Sequence, residues 1–558
     1  MKPKGRATPR ALQVPAESYS GKRGTMDRSA SAGPRWLTVF VLAVTAFSCL
    51  LGIRRSVYPF DEGYILYGAQ RVLEGAVPYR DFWVVYAPAQ FYVVAGFYAL
   101  FGSSVMTARL YDVVVRLLLV YLVYRLGRGL GGSVAGAATA VVAILFVAPS
   151  NFYGYPMFPA LALSFLCAER LGRVALPSRG TGNATEAEDT RTDRRDFLFA
   201  GLASGGAALF RHDAGFYCAL AAGLVMCVRS IRERSGWVPL ARRSGVYAGG
   251  FGAITAVPAL LLAATVPWGE LWSDLVVFPM TVLNAYRSLP LPPILPPLTS
   301  RLGLDWWLLS YLPPGVLLAV VALAATRRTW EQFLAPAVIG LAFAKQGLVR
   351  ADTNHMFPAT LLAAAVLFAL VSRSWRLASK TAAGLLTAAV LVVTADAWFL
   401  LPGQMFLSAF AADTHPRSTL PRGNGIQAIP DQEAAAVWLR ERTSPVEPIF
   451  VGHIRHDQLM ANDISFYFLA ERPCATRWFD LAPGMVTTRP VQEQIVRDLE
   501  RQKIKWIVIV SNFGGVIEPN ASGRSSGVKV LDDYLRATFG VVARFGDYTV
   551  LLRQGMPA

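Results

Sequence analysis

Apolar runs on the order of 20 residues recur from Trp36 to Leu401 and then stop, and runs of that length cross a hydrocarbon core about 30 Å thick. In lipid no water is available to satisfy backbone polar groups, so such runs are confined to helices. They cover 36–53, 107–126, 132–150, 153–170, 197–211, 214–230, 246–267, 305–326, 331–348, 355–372 and 380–401. Only 16% of residues are charged, against about 25% in ordinary soluble domains. The expected fold class is an α-helical multi-pass membrane protein with about 11 transmembrane helices and a C-terminal soluble α/β domain.

Charge sets the threading. Residues 85–101 are apolar enough to span, but Pro88 and many aromatics mark them as an interfacial helix. With that segment in the interface, Arg125 and Arg128, Arg170–Arg195, Arg229–Arg243, Arg327 and Arg328, and Arg373–Lys380 all fall on the cytoplasmic side, as the excess of Lys and Arg in inner loops requires. If the segment spanned, every one of these clusters would lie outside while the basic tail 1–35 stayed in. That tail, with Lys2, Lys4 and Arg6, is expected to be disordered and cytoplasmic, and the run after it to be an uncleaved anchor. The net charge of +17 is therefore a topology signal and no nucleic acid is expected as a partner. Residues 54–106, 211–213, 268–304, 349–354 and all that follow 401 come to the outer face.

The membrane part is expected over 36–402, with a catalytic outer loop at 54–106. Over 403–558 the rhythm changes to helix-like 431–442, strand-like 448–451, helix-like 490–503, strand-like 506–510, helix-like 530–537 and strand-like 541–552, the alternation of a small α/β domain. Of the five cysteines only Cys474 lies outside the apolar runs, which excludes a disulfide within that domain.

The residues that carry chemistry sit on the outer face. Tyr58-Pro59-Phe60-Asp61-Glu62-Gly63-Tyr64 follows the first span at once. Carboxylates held at a membrane surface lose solvation, which raises their pKa and makes them better proton acceptors. The plainer alternative is a helix cap at Asp61. Asp81 is a third acid, with Arg80 beside it as a simple interfacial partner, and Tyr86-Ala87-Pro88-Ala89-Gln90-Phe91-Tyr92 follows. Arg211-His212-Asp213 interrupts a long apolar stretch, either as a turn or as a charged site. Lys345, Gln346, Arg350, Asp352 and His355 gather before the tenth span, where such groups are costly unless they face a polar cavity. The loop 268–304 is rich in Trp and Pro, as a prenyl-chain grip or an interfacial belt would be. His453-Ile454-Arg455-His456 lacks a third ligand and so does not indicate a metal; a divalent ion is compatible with the acids, and the cofactor is left unknown. Asn183-Ala184-Thr185 and Asn520-Ala521-Ser522 match a glycan acceptor pattern, the first on the cytoplasmic side.

A first helix, then Asp61-Glu62 with following aromatics, then an acid and the segment Tyr86 to Tyr92 resembles the family 39 and 83 membrane glycosyltransferases of the GT-C class, which include protein O-mannosyltransferases and the lipid A aminoarabinose transferase. Family members often carry Tyr-Pro-Pro-Leu where this chain has Tyr86-Ala87-Pro88-Ala89. The resemblance implies a hexosyl- or pentosyltransferase acting, with inversion, on a polyprenyl-phosphate sugar donor and a lipid, glycan or protein acceptor. It places the enzyme in the plasma (inner) membrane with its C-terminal domain periplasmic or extracellular. Asp61, Glu62 and Asp81 would be catalytic, with Asp61 the base. Arg211, His212, Lys345, Arg350 and His355 would bind the donor phosphate, supported by Tyr64, Tyr86, Asp213 and Asp352. A transporter or flippase of a lipid-linked sugar uses similar residues and is the alternative, and a non-catalytic scaffold is a third reading.

Overall fold

The computed structural model describes residues 34–174, 186–295, 301–408, 415–511 and 517–557. The expected disordered tail up to residue 33, Asn183-Ala184-Thr185, and Pro296 and Pro297 lie outside the described residues. After α1 (Arg35–Leu51), a loop carries α2 (Asp61–Leu73) and α3 (Ala89–Phe101). The long helices α4 (Val105–Gly131), α5 (Ser133–Val147), α6 (Met157–Val174), α7 (Glu186–Phe210), α8 (His212–Glu233) and α9 (Trp237–Thr265) follow. A second loop holds α10 (Trp268–Trp272), a π-helical turn (Ser273–Val277) and α11 (Phe278–Arg287). The helices α12 (Arg301–Thr326), α13 (Leu334–Val349), α14 (Thr353–Leu377) and α15 (Lys380–Thr394) complete the bundle, α15 running through a second π-helical turn into α16 (Leu401–Ser408).

Among the described residues, six helices are long and apolar enough to cross a membrane: His212–Glu233, Trp237–Thr265, Gly303–Thr326, Thr329–Val349, Thr353–Leu377 and Lys380–Ser408. The remaining apolar runs are also helical. Those in α1 and α5 are shorter, and α4 carries Arg109, Asp112 and Arg116, all buried. At 13 residues, α3 reaches only about 20 Å, too short to cross. Close approach in the bundle depends on small residues. A Cβ at Gly201 of α7 would lie 2.1 Å from Tyr247 O of α9, and one at Gly250 of α9 would lie 2.5 Å from Leu198 O.

The C-terminal part holds a four-stranded sheet of order β1-β2-β4-β3. Its strands are β1 (Phe450–His453), β2 (Trp506–Val510), β3 (Phe539–Phe545) and β4 (Tyr548–Arg553); helix α17 (Pro430–Arg440) precedes them, and α18 (Ser465–Ala470), α19 (Arg489–Arg501) and α20 (Val530–Thr538) lie in the connections. β1 and β2 run parallel, and β4 is antiparallel to both β2 and β3. The single strand expected over 541–552 is thus a hairpin. Gly546, at φ 50°, opens its two-residue turn, where positive φ matches the twist of the flanking strands.

This part is built onto the first loop. The backbone N–H groups of Ile464 and Ser465 both donate to Pro59 O at 3.0 Å, and Cys474 N donates to Tyr67 Oη at 2.6 Å. Tyr67 stacks on Tyr467 at 5.0 Å. A Cβ on Gly63 would lie 2.4 Å from Ser465 N, so only glycine permits α2 and α18 to touch here.

Candidate functional site

Asp61 stands at the first residue of α2, half-buried, with no side-chain hydrogen bond to the described residues. It lines a cavity of ≈ 60 Å³ with Tyr64, Trp83, Tyr86, Tyr155, Arg287 and Asp480. Burial pushes its carboxyl up to about 6 against the opposing pull of Arg287, His355 and Arg350, while Asp352 adds to the rise. Such an acid is ionised at neutral pH and remains a competent proton acceptor.

Its neighbour Glu62 is engaged elsewhere. Arg109 Nε and Nη2 donate to the two Glu62 oxygens at 2.7 and 2.8 Å, and Tyr58 N donates to Oε2 at 3.0 Å. Arg109 also donates to the carbonyls of Ile53, Arg55 and Ser56. This buried pair ties the start of the loop to α4 and so fixes the helix that presents Asp61. Glu62, expected among the catalytic acids, has neither oxygen free to face the cavity. Asp81 does not line the cavity either. It accepts from Arg80 at 2.9 and 2.7 Å and from Val77 N at 2.7 Å, contacts that hold its carboxyl below the usual range.

Of the expected phosphate ligands, Arg211 packs against residues of the cavity wall. It forms a two-pronged pair with Asp213 at 3.0 and 2.7 Å, donates to Tyr155 Oη at 3.4 Å, and stacks 5.9 Å above the Tyr86 ring. Gln346 Nε2 braces Asp213 at 2.8 Å. His212 and Lys345 are exposed and form no ion pair with the described residues. Arg350 is already occupied: Nε donates to Asp352 at 2.7 Å, and Nη1 and Nη2 donate to Glu518 at 2.9 and 2.6 Å. Asp352 caps α14 through His355 N at 3.0 Å and meets His355 Nδ1 at 2.7 Å. Arg350 and His355 therefore bear on Asp61 through their charge. Tyr64 and Tyr86 pack edge-to-face at 5.8 Å as walls of the cavity.

Three residues of this region escape sequence reasoning: Arg287, Asp480 and Glu518. Arg287 ends α11, lies over the Phe60 ring at 5.3 Å and donates to Met460 O at 3.0 Å. Asp480 sits among Trp478, Phe479 and Leu481, and an acid within so apolar a run was the one available signal. A groove of ≈ 910 Å³ opens beside the site. Leu50, Phe146, Phe357 and Met405 form its apolar wall, Arg54 and Arg417 its cationic rim, and Tyr58 its floor toward Asp61. Among the described residues, no group of three or more His, Cys, Asp or Glu side chains is placed to hold a metal ion. In the C-terminal part His456 pairs with Asp532 at 2.7 Å, while His453 Nε2 is buried without a partner.

No family model and no curated protein matches the sequence. The fold, however, is that of ArnT from Cupriavidus metallidurans, solved with undecaprenyl phosphate, at 16% identity over 94% of this chain and 99% of that one with a TM-score of 0.55. The Archaeoglobus fulgidus oligosaccharyltransferase, solved with zinc and sulfate, is similar over 85% of this chain and 68% of that one at 14% identity, with a TM-score of 0.53. At these identities the likeness is one of fold, the GT-C fold.

Proposed function

We propose that this chain, built on the GT-C fold, is a membrane glycosyltransferase that moves a sugar from a polyprenyl-phosphate donor to an acceptor hydroxyl at the outer face of the plasma membrane. The observation that carries this reading is Asp61, an acid with no side-chain hydrogen bond to the described residues, facing a cavity shared with Arg287. The acceptor oxygen attacks the anomeric carbon and passes its proton to Asp61. The bond from that carbon to the phosphate oxygen breaks, and its electron pair leaves with the lipid phosphate. Attack opposite the leaving group inverts the anomeric centre. Arg287 lines the cavity and is placed to meet the departing charge, with Arg211 behind the Tyr86 ring, and preorganised cations of this kind are a large source of catalytic stabilisation.

The groove beside Tyr58 suits an amphiphile, with apolar walls for the prenyl chain and Arg54 and Arg417 near the headgroup. Phe278 of α11 meets Trp83 at 5.0 Å on one wall of the Asp61 cavity. The reading includes eleven spans over 36–402, a cytoplasmic N-terminus and an outer C-terminal domain over 403–558. Its lipid, glycan or protein acceptor and its hexose or pentose are to be identified by assay.

Proteoliposomes holding the full chain and undecaprenyl-phosphate-linked hexoses or pentoses test it. Release of undecaprenyl phosphate with a glycosylated product is the expected result. Movement of the intact donor across the bilayer without bond cleavage would overturn it in favour of a transporter.

A further inference from the structure

Asp480 belongs to the C-terminal part yet opens into the Asp61 cavity. It is 4% exposed, and its Oδ1 has no hydrogen-bond partner among the described residues. A buried carboxyl without a partner is costly and calls for an explanation. Its placement is firmly built. Asn462 Nδ2 donates to Phe479 O at 2.8 Å, and Asn462 Oδ1 accepts from Leu481 N at 3.0 Å, so the backbone on both sides of Asp480 is clamped. The Phe479 ring lies 5.0 Å from Tyr67 and 5.4 Å from Phe82. A side chain supported in this way is held toward the cavity.

We infer that Asp480 is a substrate-contacting residue of the Asp61 site, hydrogen-bonded to a hydroxyl of the transferred sugar, so that the C-terminal domain supplies one wall of the sugar pocket. The inference rests on the glycosyltransferase reading above and names the part of the donor that this wall contacts. Asp61 and Tyr64 of α2, Tyr86, Tyr155 and Arg287 of α11 are the titratable groups that face Asp480 across the cavity. Burial pushes the Asp480 carboxyl up to about 7 against the pull of Arg287, and the Asp61 charge adds to the rise. Near neutral pH the Asp480 carboxyl exchanges between its two forms, and a sugar hydroxyl can accept from the protonated one or donate to the ionised one. Arg287 in the same cavity takes the charge of a phosphate, which an ionised carboxylate repels, so the neutral hydroxyls of the sugar are left to Asp480.

Binding to the full chain in lipid nanodiscs tests the inference, with undecaprenyl phosphate as one probe and undecaprenyl phosphate carrying a single hexose or pentose as the other. Wild type should bind one of the sugar-bearing lipids more tightly than the bare one. Asp480→Ala should weaken the sugar-bearing lipid roughly tenfold, the worth of one well-made hydrogen bond, and leave bare undecaprenyl phosphate within about twofold. Asp480→Asn keeps a donor and should stay within about threefold for both. Equal loss of both lipids in Asp480→Ala, or no loss of either, would overturn the inference while leaving the glycosyltransferase reading intact. Failure of wild type to bind either lipid would overturn that reading, and the inference with it.

Discussion

Arg350 Nη2 lies 2.6 Å from Glu518 Oε1, joining the turn between α13 and α14 to the C-terminal domain across 168 residues of sequence. Asn520 Nδ2 extends the joint, donating to Glu518 Oε2 and to Ser288 O at 2.8 Å each. The pair is two-pronged and largely shielded from water, so it should couple more strongly than an exposed pair. A double-mutant cycle of Arg350→Met and Glu518→Gln, followed by thermal unfolding, should give a coupling of about 1 to 3 kcal/mol. Amide exchange in residues 517–523 should rise in either single variant.

Asp61→Asn should leave the protein folded and lower sugar transfer by about 10² to 10⁴, the usual worth of a positioned base. Because the Asp61 carboxyl sits at about 6, the wild-type rate should fall as pH drops through that value. A pH–rate profile of donor cleavage checks both.

Stability should move in the opposite sense to ordinary surface acids. The Asp61 and Asp480 carboxyls are raised by burial, so their stabilising contribution is complete below the unfolded value near 4 and is lost as pH rises through about 6 and about 7. Asp480→Asn should remove its share of that loss, a gain on the order of 4 kcal/mol at pH 8 relative to pH 4. Melting temperatures of wild type and variant across that range test it.

Glu62→Ala should leave Arg109 buried without its counter-charge, at a cost of about 3 to 5 kcal/mol. The expected outcome is loss of folded protein from the membrane fraction, read by fluorescence-detected size exclusion. A well-folded but inactive Glu62→Ala would instead return Glu62 to the chemistry.

Asp81→Asn removes the charge from a water-exposed pair with Arg80 and keeps an oxygen to accept from Val77 N, and exposed pairs contribute little. Transfer should stay within about twofold of wild type in the donor-cleavage assay.

The apolar runs locate the bundle because a period is a local property, and the acid after the first span is equally local. Which face a helical residue presents is not. Lys345 and Gln346 are adjacent in sequence, but successive side chains turn by about 100° around a helix. Gln346 therefore meets Asp213 while Lys345 is exposed. Glu62 looked free because its partner Arg109 is 47 residues away. Arg287 and Asp480 come from segments with no shared motif and meet only when α11 and the C-terminal domain fold against the same loop.

The glycine contact at Gly63 and Ser465 gives the order of events in biosynthesis a chemical meaning. The helix that carries Asp61 leaves the ribosome early, but the surface it rests on is made some 400 residues later, and Asp480 follows that surface. On the glycosyltransferase reading proposed above, the wall that Asp480 gives to the Asp61 cavity is therefore the last part of the site to be made.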